Sequence, residues 1–263
     1  MSLWPAAGWI FGGLYATLLL ASLIGFVSQK RSPGPSIDHI NARIRGWWIM
    51  ITLMGLGLLA GPVAIFAFFI LLSLQGLREF GALTPLTALL VAAQYGVVIA
   101  GLPPAVVLPA LLAPRQRWAL LLAVAGLAHI PALHPLLMVF LVLIAQASDV
   151  FQFLAGKALG RHKLAPAISP NKTVEGLLGG LLGAGALGAL VHWLTPFPWP
   201  TAAALAVAIA AVGTAGGLIL SAMKRRRGIK DWGQMIQGHG GVLDRADSIC
   251  LSAPLLYYLL CLL

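Results

Sequence analysis

Lys224, Arg225, Lys230, Asp231, His239, Asp244, Arg245 and Asp247 fall close together near the C-terminal end of a chain of 263 residues that carries only 17 Lys and Arg and 7 Asp and Glu. Ser221 precedes them, and Gly238, Gly240 and Gly241 surround the histidine. Glycines there permit backbone conformations and close approaches barred to other residues, so successive amides are expected to cradle a phosphate. Asp244 and Asp247 are three apart, and if they open a helix both carboxylates share one face. Two such carboxylates beside cations suit a hard metal such as Mg²⁺ bridged to a polyphosphate. The competing account of Lys224 to Arg227 is attraction to anionic headgroups, about 1 kcal/mol per basic residue near the surface. That account leaves the glycines, His239 and the paired acids unexplained.

A second stretch of chemical interest begins at Ser148-Asp149, inside an apolar segment, and ends at Ser169-Pro170-Asn171-Lys172-Thr173-Val174-Glu175-Gly176. An acid at the bilayer centre costs ~2.5–3.5 kcal/mol on insertion scales, so Asp149 calls for a watery cavity, a partner or a metal. Its bland partner is Lys157, about two helical turns on. Thr173 is placed to cap a helix, with Glu175 in the first turn, where negative charge is favoured. Capping does not explain Lys172, a cation beside exposed amides and hence part of an anion site.

The elements that hold these loops are membrane helices. Sixty per cent of residues are hydrophobic and 9% are charged, and mean hydropathy is +0.94. Average soluble domains carry about a quarter charged residues, so a soluble fold is excluded. The expected fold is an all-α polytopic bundle of nine or ten segments: 5–27, 46–61, 62–76, 84–101, 103–114, 117–132, 134–157, 174–195, 200–223 and 247–263. Trp47 to Leu74 also fits one long helix kinked at Pro62, and 103–114 is short for a full crossing. Residues 1–139 form an N-terminal helical region and 140–263 a C-terminal region carrying both loops.

With the N-terminus outside, all 17 basic residues fall on the cytoplasmic side, where Lys and Arg are enriched. No Lys or Arg precedes the first apolar run, so 5–27 is expected to be a retained helix rather than a cleaved signal. Lys30 to Arg45, with Ser32-Pro-Gly-Pro-Ser, is expected to be an exposed irregular loop with an attached basic approach to the second helix, without catalysis. Trp47, Trp48, Trp193, Trp199 and Trp232 lie near segment ends, where rings anchor at the interface. Gly176 to Gly188 and Ala202 to Ala211 suit close helix packing. Cys250 and Cys261 lie about 16 Å apart along a helix, too far for a disulfide.

Ser221, two residues, Lys224-Arg225, four residues, Lys230-Asp231, then His239-Gly240-Gly241, two residues, Asp244-Arg245, one residue, Asp247 resembles the signature of the CDP-diacylglycerol synthases, or phosphatidate cytidylyltransferases. Ser169 to Gly176 is similar to the upstream Ser-Pro-x-Lys-Thr-x-Glu-Gly element of that family, and Asp149 to its preceding aspartate. The resemblance covers residues 140–260; the N-terminal half shares only hydropathy. Gln237 and Ala246 depart from the family pattern. Gly217 and Leu220 also stand where many bacterial members carry the acids of Gly-Asp-Leu-x-Glu-Ser, and that aspartate is a proposed metal ligand.

The resemblance implies transfer of a cytidylyl group from CTP to phosphatidate, in a bacterial cytoplasmic membrane, and suggests a homodimer. It implies Mg²⁺ on Asp231 and Asp244, with Asp149 and Asp247 as further ligands or supports. A second cation is in question because of Gly217. Lys172, Lys224, Arg225, Lys230 and Arg245 would hold phosphates, His239 would donate to the leaving pyrophosphate or shape the turn, and Ser169, Thr173, Ser221, Gly240 and Gly241 would complete the substrate site. Two other functions fit the same chain: a different CTP-dependent lipid enzyme, such as an isoprenoid-alcohol kinase or a cytidylyltransferase with another lipid phosphate as acceptor, and a non-catalytic transporter or membrane partner.

Overall fold

The computed structural model describes residues 3–31, 34–81, 84–100, 127–131, 133–233 and 240–262. Its helices are α1 (Leu3–Arg31), α2 (Pro35–Ala60), α3 (Pro62–Glu79), α4 (Pro85–Ile99), α5 (Pro135–Leu159), α6 (Val174–Leu190), α7 (Trp199–Arg226) and α8 (Leu243–Leu262). Two short antiparallel strands, β1 (Lys163–Ala165) and β2 (Ser169–Thr173), separate α5 from α6. Gly8–Arg31, Pro62–Glu79, Pro135–Leu159, Trp199–Arg226 and Leu243–Leu262 are long and apolar enough to cross a membrane. Ile44–Ala60, Pro85–Ile99 and Val174–Leu190 are shorter apolar helices. The expected segment 103–114 and most of 117–132 lie outside the described residues.

The chain does not run through Pro62 as one kinked helix. It breaks at Gly61, whose φ of 93° is open to glycine, and Pro62 then starts α3 at a position where its missing N–H costs nothing. Among the described residues most of Lys30 to Arg45 is helical, with Lys30 and Arg31 ending α1 and the basic approach to the second helix already part of α2. Pro35 opens α2 well before its apolar stretch, and Gln29 Nε2 donates to Asp38 Oδ1 at 3.0 Å across the break. The polar first turns are helical because they continue an apolar helix whose propagation adds a hydrogen bond for each residue fixed. The β1–β2 hairpin is a further departure from an all-helical expectation. Pro170, which has no N–H for a helix, is accommodated at the start of β2.

The core lies among α3, α4, α5, α7 and α8, with Phe140, Leu141, Ile144, Ile209, Leu220 and Leu256 buried. Ser73 and Tyr95 share a buried 2.9 Å hydrogen bond between α3 and α4. Small residues bring the site-bearing helices close, as the glycine and alanine runs implied. A β-carbon at Gly216 would fall 2.8 Å from the carbonyl oxygen of Asp247, so α7 and α8 meet backbone to backbone. Lys or Arg occupies the last turn of α1, α3, α5 and α7, whereas α2, α4 and α8 have no basic residue there. The bonds from Arg227 to Phe80 and from Arg225 to Ile168 bring together the C-terminal ends of α3 and α7 and the hairpin that follows α5, so these basic helix ends lie on one side.

Candidate functional site

Three elements converge where the two signature stretches meet. Asp149 projects from α5, Lys172 from the end of β2, and Asp247 from the first turns of α8. Lys172 Nζ stands 4.0 Å from Asp149 Oδ1, which replaces Lys157 as the partner of this intramembrane acid. Asp149 also lies within electrostatic reach of Asp247 and Arg245. Asp247 Oδ1 accepts from the N–H of Ser248 at 2.8 Å. The hydroxyl of Ser248 is buried and turned towards Asp149. Gly217 completes this face: a β-carbon there would lie 3.6 Å from Asp247 Oδ2 and 3.7 Å from Lys172 Nζ, ordinary contact distances. Ser221 lies one turn further along α7 on the same side.

A cavity of about 170 Å³ opens beside Asp149 and Lys172, lined also by Gln152, Phe153, Asn171, Thr173, Gly176 and Leu177. Thr173 serves as the N-cap of α6, its hydroxyl accepting from the N–H of Gly176 at 3.1 Å. Glu175 reaches back from that first turn to the N–H of Arg161 at 3.0 Å and to His162 Nδ1 at 2.6 Å, fixing the base of the hairpin. Ser169 opens β2, paired with Ala165.

The second cluster surrounds Asp244. Its Oδ1 accepts from Lys224 Nζ at 2.8 Å, and its Oδ2 accepts from the N–H of Trp232 at 2.8 Å and of Gly241 at 2.9 Å. Lys224 and Asp244 are both buried. Lys224, expected to face a phosphate, is therefore engaged by Asp244, and so is the amide of Gly241. The glycines have a steric reason here. Gly240 has φ of 81°, and a β-carbon on it would come within 2.7 Å of Asp244 Oδ2. Asp231 and Lys230 are exposed on the loop beside Gly240. Arg225 Nε donates to the carbonyl of Ile168 at 3.2 Å, and its Nη1 to that of Ile229 at 3.3 Å. His239 lies outside the described residues.

Two features were invisible in the motif. Glu79, at the end of α3, accepts from the N–H groups of Val242 at 2.9 Å and Leu243 at 3.1 Å. Arg227 donates to the carbonyl of Phe80 at 2.7 Å and lies 3.7 Å from that ring, which stacks on Trp232 with centroids 4.9 Å apart. Trp232 is thus buried within the loop rather than anchored at an interface. The available signal was scarcity: Glu79 is one of seven acids in the chain.

Among the described residues no three or more His, Cys, Asp or Glu side chains gather to hold a metal. The carboxylates instead form two pairs of places, Asp149 with Asp247, and Asp231 beside Asp244. The first pair has Lys172, Arg245 and Lys224 within electrostatic reach, while both oxygens of Asp244 are already taken.

A family model described as "Cytidylyltransferase family" matches residues 119–263. The chain is 30% identical to "Uncharacterized protein YnbB" of Escherichia coli (strain K12), over 93% of this chain and 95% of that protein. It is 48% identical to a "Phosphatidate cytidylyltransferase" of Synechocystis sp. (strain ATCC 27184 / PCC 6803 / Kazusa), over 44% of this chain and 40% of that one. It is 42% identical to the protein of the same name in Bacillus subtilis (strain 168), over 44% of each chain. The matching stretch thus spans less than half the length of these two relatives.

Proposed function

Since the chain belongs to the cytidylyltransferase family, we propose that it transfers the cytidylyl group of CTP to phosphatidate, releasing pyrophosphate and forming CDP-diacylglycerol. The observation that carries this reading is the convergence of Asp149, Lys172 and Asp247, from α5, β2 and α8, around one face of α7 beside an open cavity. An oxygen of the lipid phosphate attacks the α-phosphorus of CTP in line, and the bond to the bridging oxygen of pyrophosphate breaks. The nucleophile is already an anion at neutral pH, so no residue need remove a proton. Catalysis of this kind rests on alignment and charge neutralisation.

The Asp149–Asp247 pair fits Mg²⁺, which is commonly held by one or two carboxylates together with substrate phosphates. Lys172 and Arg245 lie within electrostatic reach of Asp149, and Lys224 and Lys172 of Asp247, so the fit rests on the oxygen donors, two carboxylates with the buried Ser248 hydroxyl beside them. When bound, the ion would neutralise charge developing on the phosphates. Asp244, with its oxygens engaged by Lys224 and two amides, holds the loop in shape and is the weaker candidate ligand. Asp231, being exposed, has oxygens to offer at the rim. Lys172 and Arg245 are placed to hold phosphate near the acid pair, and Lys230 and Arg225 at the loop surface. The apolar bundle lets acyl chains remain in lipid while the headgroup reaches these residues, on a side we assign to the cytoplasm because the basic helix ends gather there.

The test is turnover of labelled CTP by the purified chain with phosphatidate and Mg²⁺. CDP-diacylglycerol and stoichiometric pyrophosphate are expected. Formation of CDP with a phosphorylated lipid alcohol would refute the reading in favour of a kinase.

A further inference from the structure

The first N–H groups of a helix lack partners within it, and they are ordinarily capped by a side chain just ahead in sequence. At the start of α8 the residues ahead are Gly240, Gly241 and Val242, none of which has a side-chain acceptor to offer. The partner comes instead from the far half of the chain. Glu79 Oε1 and Oε2 accept from Val242 and Leu243 at 2.9 and 3.1 Å, and Gln75 Nε2 steadies the carboxylate from one turn back at 3.2 Å. Its charge is also of the sign that a helix N-terminus favours. The glycines make way for it: a β-carbon at Gly233 would fall 3.0 Å from Glu79 Oε1, and one at Gly241 would collide with the carboxylate outright.

We infer that Glu79 is a positioning residue, which fixes the first turn of α8 and so aims Asp244, Arg245 and Asp247 for the transfer. The inference rests on the cytidylyl-transfer reading. Val242 and Leu243 immediately precede Asp244, so any rotation or fraying of this turn moves the entire acidic face. The grip is reinforced by Arg227, which holds the carbonyl of Phe80, next to Glu79, and lies across its ring. Phe80 in turn packs on Trp232, whose backbone N–H donates to Asp244. Two routes therefore connect the end of α3 to Asp244, one through the turn of α8 and one through the loop.

The experiment compares the full-length chain with Glu79→Gln and Glu79→Leu in lipid nanodiscs, using CTP, phosphatidate and Mg²⁺, with folded fraction checked by gel filtration. Gln keeps one good acceptor and Leu keeps none. The expected kcat order is wild type, Gln, Leu, with a total fall of about tenfold to a hundredfold and KM for CTP near its wild-type value. Amide exchange at 241–244 should accelerate in the same order. Equal kcat in all three folded proteins, or a rise in Glu79→Leu, overturns the inference, as does unchanged exchange. A wild-type chain without turnover overturns the cytidylyl reading and the catalytic half of the inference with it. The exchange pattern then decides the anchoring half by itself.

Discussion

Breaking the Lys224–Asp244 pair one partner at a time should be among the most damaging changes available in this chain. The side chains retain 10% and 3% exposure, and their charged atoms are 2.8 Å apart. At an effective dielectric of about 20 the gross attraction at that distance is roughly 6 kcal/mol, most of it offset by the cost of taking both charges out of water. Removing one partner leaves the other buried and uncompensated, at about 3–5 kcal/mol. Asp244→Asn should lie at the upper end, because Lys224 has no other acceptor among the bonds described. Lys224→Met should lie nearer the lower end, because Asp244 keeps the amides of Trp232 and Gly241. The double variant contains no stranded charge, so its loss should fall short of the sum by about 2 kcal/mol or more. Denaturant unfolding in mixed micelles gives the four stabilities, and CTP turnover is measured on the folded fraction of each. Single losses below about 1 kcal/mol, or strict additivity, would refute a desolvated pair.

Asp149→Asn and Asp247→Asn should each leave a folded protein with turnover reduced on the order of a hundredfold and a raised half-saturating Mg²⁺ concentration; wild-type Mg²⁺ titration curves would remove this pair from the metal site. Gly217→Asp meets ordinary contacts with Asp247 and Lys172, so it should fold and lower the half-saturating Mg²⁺ concentration several-fold. An unchanged Mg²⁺ dependence would show that the third carboxylate does not reach the ion. Thr173→Ala should reduce stability by about 1 kcal/mol through loss of the α6 cap, with Thr173→Ser close to wild type in the same unfolding assay.

The acids and cations that gather at the candidate site were legible because membrane helices make charge expensive, so the few that remain stand out. Asp149, Lys172 and Asp247 could be singled out from that argument, and the cap at Thr173 from local helix chemistry. Glu79 escaped because its partner lies 163 positions away, and an acid next to Arg78 at a helix end reads equally well as an interfacial charge. The engagement of Lys224 was hidden for a related reason. A basic residue following an apolar helix is common, and only the folded loop shows that α7 continues to Arg226 and turns this one inward. Trp232 looked interfacial because its burial depends on Phe80, a neighbour supplied by the other half of the chain.

The bond from Arg225 to the carbonyl of Ile168 bears on how the protein tolerates change in length. Ile168 is the last residue before β2, so α7's cationic end grips the hairpin just where the strand that carries Lys172 begins. An inserted residue between Ala165 and Ser169 would shift that carbonyl out of reach and free the strand to slide against α7. The hairpin therefore works as a spacer of fixed measure. This turn must keep its residue count for Lys172 to meet Asp149.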